Sequence, residues 1–96
     1  MEIESFILQH PKVDDAAVIG VMDEKWGEAV KLIIKPKSGE AITKNEIIAF
    51  LEKRLPRYKL PKYISITDII PRNPTGKILR RVLKEKCGNP RDDYCH

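Results

Sequence analysis

Pro71-Arg72-Asn73-Pro74-Thr75-Gly76-Lys77-Ile78-Leu79-Arg80-Arg81 joins a proline-flanked loop to an amphipathic segment. Ile78, Leu79, Val82 and Leu83 recur at helical spacing, which predicts a last helix from about Gly76 or Lys77 to Lys86. Lys84 and Lys86 suit the negative end of that helix, and Gly88 can terminate it. Its start is electrostatically odd. A helix N-terminus has unsatisfied N–H groups and partial positive charge, so it favours acids or bound anions. Here Arg72, Lys77, Arg80 and Arg81 surround it, and no acid occurs from Pro71 to Lys84. That pattern fits a cation and free N–H groups offered to a phosphate or carboxylate. It also fits a merely solvated basic helix. It is not a Walker phosphate loop, which needs Gly, four residues, then Gly-Lys-Ser/Thr. Pro71 holds the first glycine's place, and Ile78 follows the lysine.

Outward from this stretch, the chain alternates helical and extended patterns. Met1 to Gln9 reads as a short helix ended by His10-Pro11, because a residue before proline avoids the helical region. Ala16 to Met22 is an apolar run of strand length, suited to burial on both faces. Asp23 to Glu28 is a turn. Ala29 to Lys35 alternates, with Val30, Leu32 and Ile34 inward and Lys31 and Lys35 on a wetter face. Thr43 with Glu46 forms a capping box before a helix that ends ahead of Pro56. Tyr63 to Thr67 alternates as a third strand. The expected fold is α+β: a roughly three-stranded sheet packed with about three helices. Residues 1–86 form the domain, and 87–96 read as a flexible tail.

Composition narrows the class. Ninety-six residues make one small domain with a modest core and no room for a large enclosed catalytic cavity. A hydrophobic fraction of 42% and a charged fraction of 33% are ordinary for a globular chain. No apolar run approaches the roughly 20 residues of a membrane span, and no secretory signal is visible. The net charge of +4 permits anionic partners without requiring them. Cys87 and Cys95 lack partners at zinc-site spacing, so no metal site is expected, and a disulfide between them would not hold the core. A cytoplasmic setting is the default.

Three segments, in order, resemble the C-terminal lid domain of the adenylate-forming enzymes, the AMP-binding superfamily that includes acyl-CoA synthetases. Val18-Ile19-Gly20-Val21-Met22-Asp23-Glu24-Lys25-Trp26-Gly27-Glu28 resembles a strand and turn of that domain, with Met22 where the family commonly has proline. Leu55-Pro56-Arg57-Tyr58-Lys59-Leu60-Pro61 resembles its Leu-Pro-x-Tyr-x-x-Pro motif. The segment from Pro71 resembles its last core motif, in which a proline-led loop ends in Gly-Lys. The resemblance covers about residues 1 to 86 and leans towards fatty-acyl or related acyl-CoA ligases.

The resemblance implies a catalytic Lys77, with Thr75 and Gly76 in the substrate and ATP loop. Trp26, Gly27 and Arg80 are candidates for coenzyme A or interdomain contacts, Trp26 being more simply read as a local anchor. It implies ATP and coenzyme A as substrates of a full-length ligase that adenylates a carboxylic acid and then forms the thioester. The implied partner is a large N-terminal adenylation domain of the same polypeptide, which would bind Mg2+. The phosphate loop, adenine and ribose contacts, magnesium ligand and acyl pocket have no counterpart here, so this chain alone is expected to hold no cofactor and to be inactive. A stand-alone basic module binding nucleic acid or protein is the alternative. Few aromatics and no recognition motif argue against nucleic acid.

Overall fold

The computed structural model describes residues 2–23, 27–88 and 94–95. The organising strand is β2 (Gly27–Pro36). It pairs antiparallel with β1 (Val13–Asp23), from Val13↔Pro36 to Asp23↔Gly27, with a register shift between Val13 and Asp15. On its other side it pairs parallel with β3 (Tyr63–Thr67), from Lys31↔Tyr63 to Ile34↔Ile66. A two-residue β4 (Tyr94–Cys95) lies parallel to β3, so the sheet order is β1-β2-β3-β4. A parallel β2–β3 pair needs a crossover, and α2 (Lys44–Glu52) supplies it.

Both faces of the sheet are covered. On one face Ala16, Val18, Leu32, Ile34 and Ile64 pack against Ile3 and Ile7 of α1 (Glu2–Ile7) and Ile47 and Leu51 of α2. On the other, Ala17, Ile19, Val21 and Ile33 pack against Ile70 and against Leu83 and Cys87 of α3 (Arg80–Cys87). The expected wetter face of β2 is therefore dry over its middle: Lys31 is fully buried, and its ammonium donates to the Cys87 carbonyl at 2.7 Å. A lysine reads as solvent-facing in sequence. Here it satisfies a carbonyl left open at a helix C-terminus, where positive charge is favoured.

Thr43 caps α2 as expected, its hydroxyl accepting from the Glu46 N–H at 3.2 Å, while the Glu46 carboxylate turns to Lys12 at 3.4 Å. The last helix starts at Arg80, three residues later than the latest start the periodicity suggested. Cys87, placed in the tail by the sequence, is the last residue of that helix, buried and disulfide-bonded. Most of the expected tail, residues 89–93 and 96, lies outside the described residues, and Tyr94–Cys95 run beside β3.

His10 lies edge-on to Phe50 with ring centroids 4.9 Å apart, and its Nδ1 accepts the Lys12 N–H. Burial lowers its pKa; Glu46 pulls the other way, and Lys12 and Arg54 add to the lowering. A histidine whose folded pKa lies below its unfolded value binds fewer protons when folded, so stability rises with pH through that range. Acidification from pH 8 to pH 5 is expected to lower the melting temperature, and His10→Phe to flatten that slope. Ile33→Ala, in the fully buried centre of β2, is expected to cost about 2–5 kcal/mol in urea unfolding. Met22→Ala, at a side chain that is 75% exposed, should change stability by less than about 0.5 kcal/mol.

Candidate functional site

Lys77 does not stand in the first turn of α3. It closes a tight hairpin, in which Arg72 and Ile78 form an antiparallel bridge. The Leu79 N–H donates to Pro71 O, the Asn73 N–H to Lys77 O and the Gly76 N–H to Asn73 O, each at 2.9 Å. The sequence explains the turn. Asn-Pro-Thr-Gly places asparagine, proline and glycine where a type I turn favours them. Gly76 has φ +88°, the left-handed conformation that follows such a turn in three-residue hairpins. The Asn73 side-chain oxygen completes it, accepting from the Thr75 N–H at 3.1 Å, the Thr75 hydroxyl at 2.7 Å and the Lys77 N–H at 2.9 Å. The carboxamide thus takes up N–H groups that the expected helix would have left open, which is why the helix starts later.

Lys77 is exposed, and its ammonium has no hydrogen-bond or ion-pair partner among the described residues. The turn beneath it is held to β1. The Arg72 guanidinium grips Asp15 through Nε at 2.8 Å and Nη2 at 2.6 Å, and its Nη1 donates to the Gly76 carbonyl. Burial opposes the charge on Asp15. The hydrogen bonds from Arg72 and the Ala16 N–H, with the charges of Arg72 and Lys35, outweigh it and hold the carboxyl below its ordinary range. Asp15 hydrogen-bonding in turn raises the pKa of Arg72, ahead of a small opposing effect of burial.

Arg80 also faces β1. Its Nη1 donates to the Val18 carbonyl at 3.0 Å, and its Nη2 lies 3.5 Å from Glu4 Oε1, which accepts the Val18 N–H at 2.9 Å. Arg80 thus has partners within the domain while half of its side chain stays exposed. Gly27 has φ +82° at the start of β2 and pairs with Asp23. Asp23 is eight residues along β1 from Asp15, roughly 26 Å at strand rise. The structure therefore brings together Thr75, Gly76, Lys77 and Arg80, and places Gly27 at the opposite end of the β1–β2 hairpin. Trp26 lies outside the described residues. Asp15 and Asn73 are the members that sequence reading missed, and Arg72, read there as one of the cations offered to an anion, grips Asp15. The asparagine-proline turn signal could have pointed to Asn73, whereas the Asp15–Arg72 pair spans 57 positions and has no local signature. Among the described residues no three His, Cys, Asp or Glu side chains converge as metal ligands.

Residues 2–77 match the AMP-binding enzyme C-terminal domain family. The chain is 48% identical over 85 residues to a long-chain-fatty-acid–CoA ligase of Mycobacterium tuberculosis, covering 88% of this chain and 17% of that protein. It is 40% identical to an oxalate–CoA ligase of Saccharomyces cerevisiae, covering 88% of this chain and 16% of that one. Among solved structures, a fatty acyl CoA synthetase of Mycobacterium tuberculosis superposes with a TM-score of 0.80 at 49% identity, over 88% of this chain and 16% of that chain. ATP-bound MatB of Rhodopseudomonas palustris superposes with a TM-score of 0.80 at 36% identity, over 88% of this chain and 17% of that chain. The chain thus spans about a sixth of the length of these relatives. The alternative of a stand-alone binding module finds no support in them.

An alanine at Gly76 would meet nothing within 4 Å, so its cost is backbone strain alone. Gly76→Ala is expected to lower stability by about 1–2 kcal/mol in urea unfolding. Gly76→Asn should cost less, since asparagine tolerates the left-handed region.

Proposed function

From the chain's membership of the AMP-binding enzyme C-terminal domain family, we propose that it acts as the lid of an ATP-dependent acyl-CoA synthetase and that Lys77 is its catalytic residue. The observation that carries this reading is an exposed lysine without a partner among the described residues, on a turn held by backbone and Asn73 side-chain hydrogen bonds beneath it.

In adenylation a carboxylate oxygen attacks the α-phosphorus of ATP and pyrophosphate leaves. Two anions must meet, and negative charge gathers on the phosphoryl oxygens. The Lys77 ammonium, a compact charge on a long stem, would sit between the carboxylate and those oxygens and offset their repulsion. It neither gains nor loses a proton in that role. Thr75 and Gly76 keep the turn small enough to enter a cleft built by an N-terminal adenylation domain, which would bind ATP and Mg2+. The donor set for a metal is absent among the described residues, so no step is assigned to Mg2+ on this chain. For thioester formation the domain would turn, presenting the opposite hairpin end with Gly27 to the coenzyme A path. The separation of Gly27 from Lys77 along β1 supports two such presentations. Fatty-acyl or related carboxylic acids are the proposed substrate class, in view of the names of the relatives.

A cytoplasmic setting fits an enzyme that consumes ATP and coenzyme A, and its reducing conditions would open the disulfide at Cys87 to the thiol. Among the described residues no helix is long and apolar enough to cross a membrane.

In a ligase carrying this chain as its lid, Lys77→Ala is expected to slow carboxylate-dependent pyrophosphate exchange by about 10²–10³. Thioester formation from preformed acyl-adenylate should survive. Equal loss in both half-reactions would assign Lys77 to the fold or to a shared interface. The chain alone should release no pyrophosphate from ATP with any acid.

A further inference from the structure

β1 is an edge strand, and alternate residues of an edge strand turn unpaired N–H and C=O groups outward. Here three of these groups are taken up by two acid–arginine pairs. The Ala16 N–H donates to Asp15 Oδ1 at 2.9 Å, and Asp15 is gripped by Arg72. The Val18 N–H donates to Glu4, the Val18 carbonyl accepts from Arg80, and Glu4 and Arg80 face each other. Arg72 stands five residues before Lys77, and Arg80 three residues after it. The two arginines therefore fasten both ends of the lysine turn to one strand.

We propose that Asp15 and Glu4 are positioning residues for Lys77, acting through Arg72 and Arg80. This rests on the reading of Lys77 given above. Three features separate the pairs from ordinary surface ion pairs. The acids are mostly covered, with side-chain exposures of 19% for Asp15 and 17% for Glu4, against 37% and 50% for their arginines. The Arg72 contact is bidentate, which fixes direction as well as distance. Its remaining nitrogen reaches the carbonyl of Gly76, the residue next to Lys77, so tilting the guanidinium tilts the turn. Both arginines reach from the ends of the turn to one strand. Their effect is to hold a lysine whose reaction loses rate steeply with small misplacement.

Amide hydrogen exchange on the chain tests the positions directly. Asp15→Asn is expected to speed exchange at Gly76 and Lys77 by about tenfold or more while Leu32 and Ile33 keep wild-type protection. Arg72→Lys should do the same. A lysine keeps the charge pair with Asp15 but cannot also hold the Gly76 carbonyl, so a merely structural ion pair would leave exchange unchanged. Glu4→Gln should loosen the first turn of α3, read at Leu83, whose N–H donates to Leu79 O. In a ligase carrying this chain, Asp15→Asn and Arg72→Lys should lower kcat for adenylation about tenfold with KM for ATP unchanged. Transfer from preformed adenylate should be spared. Unchanged exchange at Gly76 and Lys77, or a uniform rise across β2, overturns the proposal. If Lys77→Ala leaves adenylation intact, the lysine reading fails, while the exchange data still decide whether the arginines hold the turn.

Discussion

β2 has to be covered on both faces. Leu32 and Ile34 on one side and Lys31 and Ile33 on the other are fully buried. One helix layer cannot do this, so α1 and α2 take one face and α3 the other. The chain must then leave β3 at Thr67, cross the end of the sheet and come back over its second face. That return carries residues 68–79, with Ile70 and Ile78 packed into the second core and the turn between them left outside. The place of Lys77 follows from this route. The buried Lys31 belongs to the same constraint, since its ammonium holds the end of α3 on the strand it covers.

Within that route, the turn is rigid through polar contacts rather than apolar ones. Asn73 supplies one acceptor to three donors, Gly76 takes the conformation a side chain would resist, and Arg72 reaches from the turn to β1. An exposed cation on a mobile loop would have to be ordered at the moment of reaction. Here the backbone of the turn is already ordered by these contacts on folding, which suits the charge-stabilising role proposed for Lys77.

Much of this was legible in the sequence. The three principal strands, the α2 cap at Thr43 and the proline-led turn all follow local patterns of spacing and turn chemistry. What was not legible depends on distant partners. Lys31 looks solvent-facing until α3 covers it. The helix start moved to Arg80 because the Asn73 carboxamide and the bridge to Ile78 claim the preceding residues. Arg80, a candidate for coenzyme A or interdomain contact by resemblance, is bound to Val18 across 62 positions of chain and faces Glu4 from still farther along it. The pairing of Tyr94–Cys95 with β3 has no periodic signal, because two residues are too few to show one.

The role proposed for the preformed turn is to deliver the Lys77 ammonium to the reacting phosphate. The most direct test is a crystal structure of a ligase bearing this lid, trapped with a non-reactive acyl-adenylate mimic. Lys77 Nζ is expected within about 2.7–3.2 Å of an oxygen at the adenylate linkage, with the Arg72–Asp15 pair and the Asn73 turn unchanged. A lid closed over the mimic with Lys77 turned to solvent, or with the turn rebuilt to reach it, would contradict the account.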